Sequence, residues 1–168
     1  MFTLAISNML FRGDGKSQIF NEDFFSKESD EILSHLVQKP TIGFINPPFG
    51  GKHNKHNPTQ KEIQFLEKLL DICSRYVVII APLSTFCKDD IIRARILTKH
   101  RLKSILHMPS DVFQPNAAAQ TAVFETNIPH TLKDKVVFYS LKDDGFKLSK
   151  NAGRTDPFNN WVIIKKDL

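Results

Sequence analysis

The sequence predicts an α/β fold with a doubly wound sheet whose C-terminal end carries an antiparallel strand pair. Three observations predict it. The strand pattern 42–46, an apolar run ending in the amide Asn46, stops abruptly at Pro47-Pro48, as a strand must where the chain loses amide protons and its φ freedom. A helix-periodic segment with Ile63, Leu66, Leu69, Leu70 and Cys73 leads directly into the continuous apolar run Tyr76-Val77-Val78-Ile79-Ile80-Ala81, which suits a parallel strand buried on both faces. Two further β patterns, 103–108 and 119–125, are joined by a polar, proline-containing loop and are expected to pair antiparallel.

Taken in order, Phe2 to Phe11 has helical spacing and Gln18 to Phe20 a brief β pattern. Ser29 to Gln38 reads as a helix with Ile32, Leu33, Leu36 and Val37 on one face. After strand 42–46, Pro58-Thr59 opens the long helix, whose Lys61, Glu62, Glu67 and Lys68 face outwards. The strand 76–81 ends at Pro82-Leu83-Ser84-Thr85, and a helix holding Ile91, Ile92, Ile96 and Leu97 runs to Arg101. Residues 135–140 and 160–165 give two more β patterns, separated by an Asp143-Asp144-Gly145 turn and a loop with Gly153 and Pro157. No internal repeat, low-complexity tract or second domain stands out, so residues 1–168 are expected to form one domain.

Composition agrees with a globular protein. The chain has 168 residues, 41% hydrophobic and 24% charged, enough to bury a sizeable core and too apolar for intrinsic disorder. A formal charge of +5 suits a polyanionic partner, although this modest excess discriminates weakly. Cys73 and Cys87 lack metal-ligand spacing and read as reduced intracellular thiols. The apolar runs are too short to span a bilayer and no basic-then-apolar leader opens the chain, so a cytoplasmic location without membrane is expected.

The chemistry concentrates at Asn46-Pro47-Pro48-Phe49. The two prolines hold the backbone in a stiff extended turn. In that turn the Asn46 side-chain oxygen and a neighbouring carbonyl can both accept from one exocyclic amino group, drawing its nitrogen towards tetrahedral geometry. Phe49 can stack on the attached ring. Base–aromatic stacking is worth roughly 1–3 kcal/mol, which offsets part of the few kcal/mol needed to extrude a base from a duplex. The competing interpretation is that Pro47-Pro48 only ends a buried strand and Phe49 is core; the strand in front of the motif favours function.

This motif resembles that of S-adenosylmethionine-dependent amino-methyltransferases, and its context is similar to the modification (M) subunits of type I restriction systems. The segments agree in order: 4–15 resembles the helix and turn after the cofactor-binding loop, and Ile19-Phe20-Asn21-Glu22-Asp23-Phe24-Phe25 the short strand ending in an acidic residue. Residues 104–113, 120–124 and 137–146 resemble the late strands of those subunits. The resemblance covers most of the chain. It implies a partial S-adenosylmethionine-dependent methyltransferase (Rossmann-like) sheet, the C-terminal part of a catalytic domain, acting on the amino group of adenine in double-stranded DNA. The specificity and restriction subunits of such a system are the implied partners.

By the same resemblance Asn46 and the Pro47 carbonyl would bind the target amine, with Pro48 stiffening the turn and Phe49 stacking on the base. Phe113 would line the other side of its pocket, although with fourteen phenylalanines in the chain most must be core. Asp23 would accept from the amino group of the cofactor's adenine, with Phe24 beside that ring; Asp23 could equally cap a turn. Ligands of such sheets bind beyond the carboxyl ends of the strands, which would put Asn46-Pro47-Pro48-Phe49, Asp23 and Pro82-Leu83 along one edge. The Gly-x-Gly loop that these enzymes carry after their first strand is absent. Gly13-Asp14-Gly15 follows a helical pattern and reads as a helix stop and turn. An incomplete S-adenosylmethionine site, and inactivity in isolation, are therefore expected.

In the loop after the motif, Gly50-Gly51 allows movement and Lys52 and Lys55 could meet DNA phosphates. His53 and His56, three apart in a polar loop, do not suggest a metal site. The basic stretch Lys88 to Arg101 reads as a solvated helix face rather than a DNA surface. Two other functions stand beside adenine methylation: methylation of RNA or of a glutamine side chain, since planar amides suit the same motif, and a non-catalytic scaffold of a restriction–modification complex.

Overall fold

The computed structural model describes residues 2–49, 62–87, 89–109, 111–112, 119–149 and 153–166. The chain divides into two compact units, Met1–Gln38 and Lys39–Leu168.

The first unit holds two helices. Helix α1, Phe2–Phe11, stops because Gly13 takes a positive φ of 84°. Its amide donates to the Leu10 carbonyl (3.0 Å) and that of Asp14 to the Met9 carbonyl (2.9 Å), so the last turn's carbonyls are satisfied by a Schellman arrangement. The helix stop expected at Gly13-Asp14-Gly15 is therefore present. The Asp14 carboxylate closes the following turn by accepting from the Lys16 and Ser17 amides (3.2 and 3.0 Å). The brief strand expected at Gln18 to Phe20 does not form; these residues are irregular. Helix α2, Lys27–Ser34, begins two residues earlier than its periodicity suggests. Ser26 caps it by accepting from the Ser29 amide (3.0 Å), while Glu28 and Asp30 place negative charge on its first turn.

The second unit is built on a five-stranded sheet. Its strands are β1 (Ile42–Ile45), β2 (Tyr76–Pro82), β3 (Arg101–His107), β4 (Ala119–Glu125) and β5 (Val137–Ser140), in the spatial order β1-β2-β4-β3-β5. Strands β1 and β2 are parallel, as are β3 and β5, and β4 runs against both β2 and β3. The antiparallel pair expected from 103–108 and 119–125 is thus β3 and β4, with a bulge between Leu102 and Ser104. Helices α3 (Glu62–Ile72), α4 (Leu83–Cys87) and α5 (Asp90–Lys99) connect them. The α3 residues Ile63, Leu66 and Leu70 pack with Cys73, with Val77, Ile79 and Ala81 of β2, with Ala122 and Phe124 of β4, and with Ile96 of α5. Strand β2 buries alternate residues fully and the others only in part, so its unbroken apolar run does not signal burial on both faces here.

The segment 160–165 departs from its β pattern. It forms helix α6, Asn160–Ile164, because the Asp156 carboxylate accepts from the Asn160 and Trp161 amides (2.9 and 2.8 Å) and so satisfies the helix start. Before it lies a short hairpin, β6 (Lys147–Ser149) and β7 (Gly153–Thr155), that no periodicity announces.

Two contacts of the second unit give measurable consequences. A Cβ on Gly43 would lie 2.6 Å from Cys73 Sγ and 2.9 Å from Leu69 Cγ, so β1 rests on α3 with no room for a methyl group. Gly43→Ala is expected to destabilise the chain by about 1–3 kcal/mol in urea unfolding, and Gly43→Val by more. His100, also buried, accepts from the Asn127 amide at Nδ1 (3.1 Å), and burial pushes its pKa below the ordinary 6.5. The folded ring is neutral at pH 7, whereas the unfolded chain takes up a proton near 6.5. This contribution is therefore complete above that pH and declines as pH falls through the lower folded value. His100→Gln is expected to flatten the change in stability between pH 7 and 5.

Candidate functional site at the carboxyl end of the sheet

Strands β1, β2, β3 and β5 point the same way, which follows from the two parallel registers and from the antiparallel pairing of β4 with both β2 and β3. Their carboxyl ends share one rim. Onto it open Asn46 after β1, Leu83 after β2, the segment after His107 that returns at Ala119, and the segment after Ser140. Register fixes the neighbours: Ile45 pairs with Ile79, Pro82 with Ala119 and His107 with Gln120.

The motif occupies the start of this rim. Asn46 is the first residue beyond β1 and is exposed, Pro47 is buried, Pro48 is exposed and Phe49 half-buried. Burial of Pro47 fixes the backbone under Asn46, so the amide is offered outwards from a rigid base. Lys52, Lys55, His53, His56 and Phe113 lie outside the described residues.

Further along the rim is a cluster that the sequence reading missed. Arg154 of β7 donates from Nη1 and Nη2 to the two Asp144 oxygens (2.8 Å each) and from Nε and Nη2 to the two Asp111 oxygens (3.2 Å each). Its guanidinium also lies 5.5 Å from the centre of the Phe146 ring. The three charged groups are largely buried, with 19% of the Arg154, 29% of the Asp111 and 12% of the Asp144 side chain accessible. The Arg154 hydrogen bond holds the Asp144 carboxyl below the usual range, and the two aspartates raise the guanidinium further above its ordinary value. The only signal in the sequence was the Asp143-Asp144-Gly145 turn, which names one partner and not the other two.

Other basic residues are engaged structurally. Arg95 forks onto Glu67 (2.5 and 2.7 Å), Arg93 bonds the Phe86 carbonyl (2.8 Å) and Asp90 (2.7 Å), and Arg101 meets Asp134 (3.2 Å) and Glu125 (3.6 Å). Among the described residues no group of three or more His, Cys, Asp or Glu is arranged to hold a metal ion. No described helix is long and apolar enough to cross a membrane.

In the first unit Asp23 sits just ahead of α2. Its Oδ1 accepts from the Phe25 amide (2.8 Å) and its carbonyl from the Ser26 amide (2.9 Å), so the side chain does cap a turn. The residue is exposed, and Oδ2 has no hydrogen-bond partner among the described residues. Phe24 stands edge-on to Phe25, with ring centres 5.3 Å apart. An adenine amino group could be accepted at Oδ2 beside an aromatic edge.

The fold is that of the S-adenosylmethionine-dependent methyltransferases. The M protein of the type I restriction enzyme EcoKI superposes with a TM-score of 0.65 at 19% identity, over 92% of this chain and 36% of that one. A modification subunit of a putative type I restriction enzyme from Vibrio vulnificus gives 0.64 at 18% identity, over 99% and 39%. A putative class I S-adenosylmethionine-dependent methyltransferase from Listeria monocytogenes gives 0.51 at 15% identity, over 66% and 40%. In sequence, the chain is 26% identical over 160 residues to the type II restriction enzyme and methyltransferase RM.BcgI of Heyndrickxia coagulans. That match takes in 91% of this chain and 25% of the relative, so the chain spans about a quarter of the length of the curated protein it matches. No protein-family model matches. The likeness to restriction–modification methyltransferases implied by the ordered motifs is thus found independently in sequence and in fold.

Proposed function

We propose that this chain is the target-base part of a restriction–modification DNA methyltransferase, modifying the exocyclic amino group of adenine in double-stranded DNA with S-adenosylmethionine as donor. The observation that carries this reading is Asn46, exposed at the carboxyl end of β1 on a buried proline, in the motif Asn46-Pro47-Pro48-Phe49. The relative that shares the chain's sequence and the solved structures that share its fold support the same class.

The cofactor would supply a methyl group already activated on a sulfonium. The chain's own residues have the other task. Asn46 Oδ1 and the Pro47 carbonyl accept the two amine protons, which localises the nitrogen lone pair and aims it. Phe49 stacks on the base and compensates for part of its lost stacking in the duplex. No general base is required before transfer, because alignment of the amine is the main demand and the proton can leave afterwards. Asp23 and Phe24 would meet the adenine end of the donor, Lys52 and Lys55 the DNA backbone, and Phe113 the far side of the base. In an assembly, specificity and restriction subunits would complete target selection and cleavage.

A second reading, a non-catalytic scaffold, is favoured by one observation: half of the Asp23 carboxylate is already committed to the turn before α2. The two readings differ in the tube. Calorimetric titration of S-adenosylmethionine into the 168-residue chain is expected to show no binding in the micromolar range, because no Gly-x-Gly loop follows a strand in it; a micromolar Kd would overturn the incomplete-site proposal. In a restriction–modification methyltransferase carrying this segment, Asn46→Ala is expected to lower adenine methylation by about 10²–10³-fold, the scale of losing one charge-stabilising contact in the transition state. Phe49→Ala should lose roughly 1–3 kcal/mol of base binding. Unchanged methylation of unmodified target DNA by both variants would count against the assigned roles and favour the scaffold.

A further inference from the structure

We infer that Arg154 is a positioning residue for the target-base side of the rim: it holds the turn after β3 in place by joining Asp111 to Asp144. This rests on the proposed function, and it concerns residues that function does not otherwise use.

The two ends of the clasp differ in firmness. Asp144 belongs to a rigid base, since the Asp143 carboxylate accepts from the Gly145 amide (2.8 Å) and the Asp144 carboxylate from the Phe146 amide (3.1 Å). Gly145 has a φ of 82°, and a Cβ there would lie 2.7 Å from Asn160 Cβ, so the turn is wedged against the start of α6. Leu141, at its entry, is buried and donates to the His107 carbonyl (2.9 Å), fixing the end of β5 to the end of β3. Asp111 has much less support. Among the described residues its turn is closed by the Val112 amide on the Pro109 carbonyl (3.2 Å) and otherwise tied by Arg154.

The distances carry the same order: 2.8 Å to Asp144 and 3.2 Å to Asp111. Arg154 is thus oriented by Asp144 and offers its remaining donors to Asp111. Only a planar fork can meet two carboxylates in this way, and a lysine ammonium at the same place would keep the charge and lose the geometry. The turn so tied follows β3 on the rim where Asn46 follows β1, and it leads in sequence into the segment that returns as β4. Strands β2 and β4 lie between β1 and β3, so the tied turn would face the base held by Asn46 and Phe49 from across the rim, as a fixed neighbour and not a shifting one.

The test uses the 168-residue chain, single-stranded oligonucleotides containing 2-aminopurine, and hydrogen exchange. Fluorescence of 2-aminopurine reports base stacking, whereas anisotropy of an end-labelled strand reports overall attachment. Asp111→Asn and Arg154→Lys are expected to speed amide exchange in residues 105–112 by about tenfold, the effect of losing a charge-assisted tie. Both should also lose most of the stacking signal while anisotropy remains as in the wild type. Asp111→Glu, which keeps the carboxylate, should restore the signal. Arg154→Ala extends the series, and Asp111→Asn guards it against misfolding because the Arg154 fork on Asp144 survives. Unchanged exchange and stacking in Asp111→Asn and Arg154→Lys, with stacking lost in Asn46→Ala, would overturn the positioning role alone. A wild-type chain without a stacking signal, or Asn46→Ala and Phe49→Ala that stack normally, would overturn the target-base reading and this inference with it.

Discussion

The close approach of β1 to α3 at Gly43 is the constraint on which the candidate site depends. Asn46 stands three residues beyond Gly43, and the backbone between them is held by the parallel register with β2 up to the pair Ile45 and Ile79. With Cys73 Sγ and Leu69 filling the space where a Cβ would be, the strand cannot lift or roll without leaving a void in a close-packed interior. The position of the Asn46 amide is therefore set by packing on the helix side of the sheet, one layer away from any ligand. Pro47 transmits that constraint, because a buried ring with fixed φ leaves the turn little freedom.

Electrostatics serves the same end by a different route. The surplus of cations suggests a polyanion surface, yet Arg95, Arg101 and Arg154 each meet carboxylates across elements far apart in sequence. Exposed pairs of this kind contribute little to stability, so Arg95 with Glu67 is better viewed as fixing the approach of α5 to α3 than as holding the fold together. Arg154 is more enclosed and carries two partners. Its value lies in geometry, since one guanidinium meets two part-buried aspartates from segments far apart in sequence.

How much of this was legible in the sequence follows from the range of the forces involved. The α3 periodicity and strand β4 were readable because burial on one face imprints a period of 3.6 or 2.0 on neighbouring residues, and β1 because Pro47-Pro48 stop its run. Gly13 was readable because a positive φ selects glycine locally. The helix at 160–164 was not, since Val162-Ile163-Ile164 mimics a strand and the deciding group is the carboxylate of Asp156, outside the run. Arg154 was hidden for a similar reason: its partners are ten and forty-three residues away, and pairing across that distance leaves no periodic trace. At the site itself, residue types named Asn46 and Phe49, but only the structure reveals that Pro47 is buried while Asn46 is exposed.

The chemical character of the motif also explains why its supports matter so much. An amide and a peptide carbonyl are neutral acceptors at every physiological pH, so in the proposed function they would neither take the amine's proton nor hold the base by charge. In the proposed reaction their effect on the nitrogen lone pair would depend on direction, and direction would be lost if the turn flexed. A carboxylate in place of Asn46 could tolerate a looser frame because attraction to it falls off more slowly with distance. A neutral pair of acceptors needs a stiff one. Gly43 against α3, the buried ring of Pro47 and the Asp111–Arg154–Asp144 clasp all lie behind one rim, and they are the supports that such a chemistry would require.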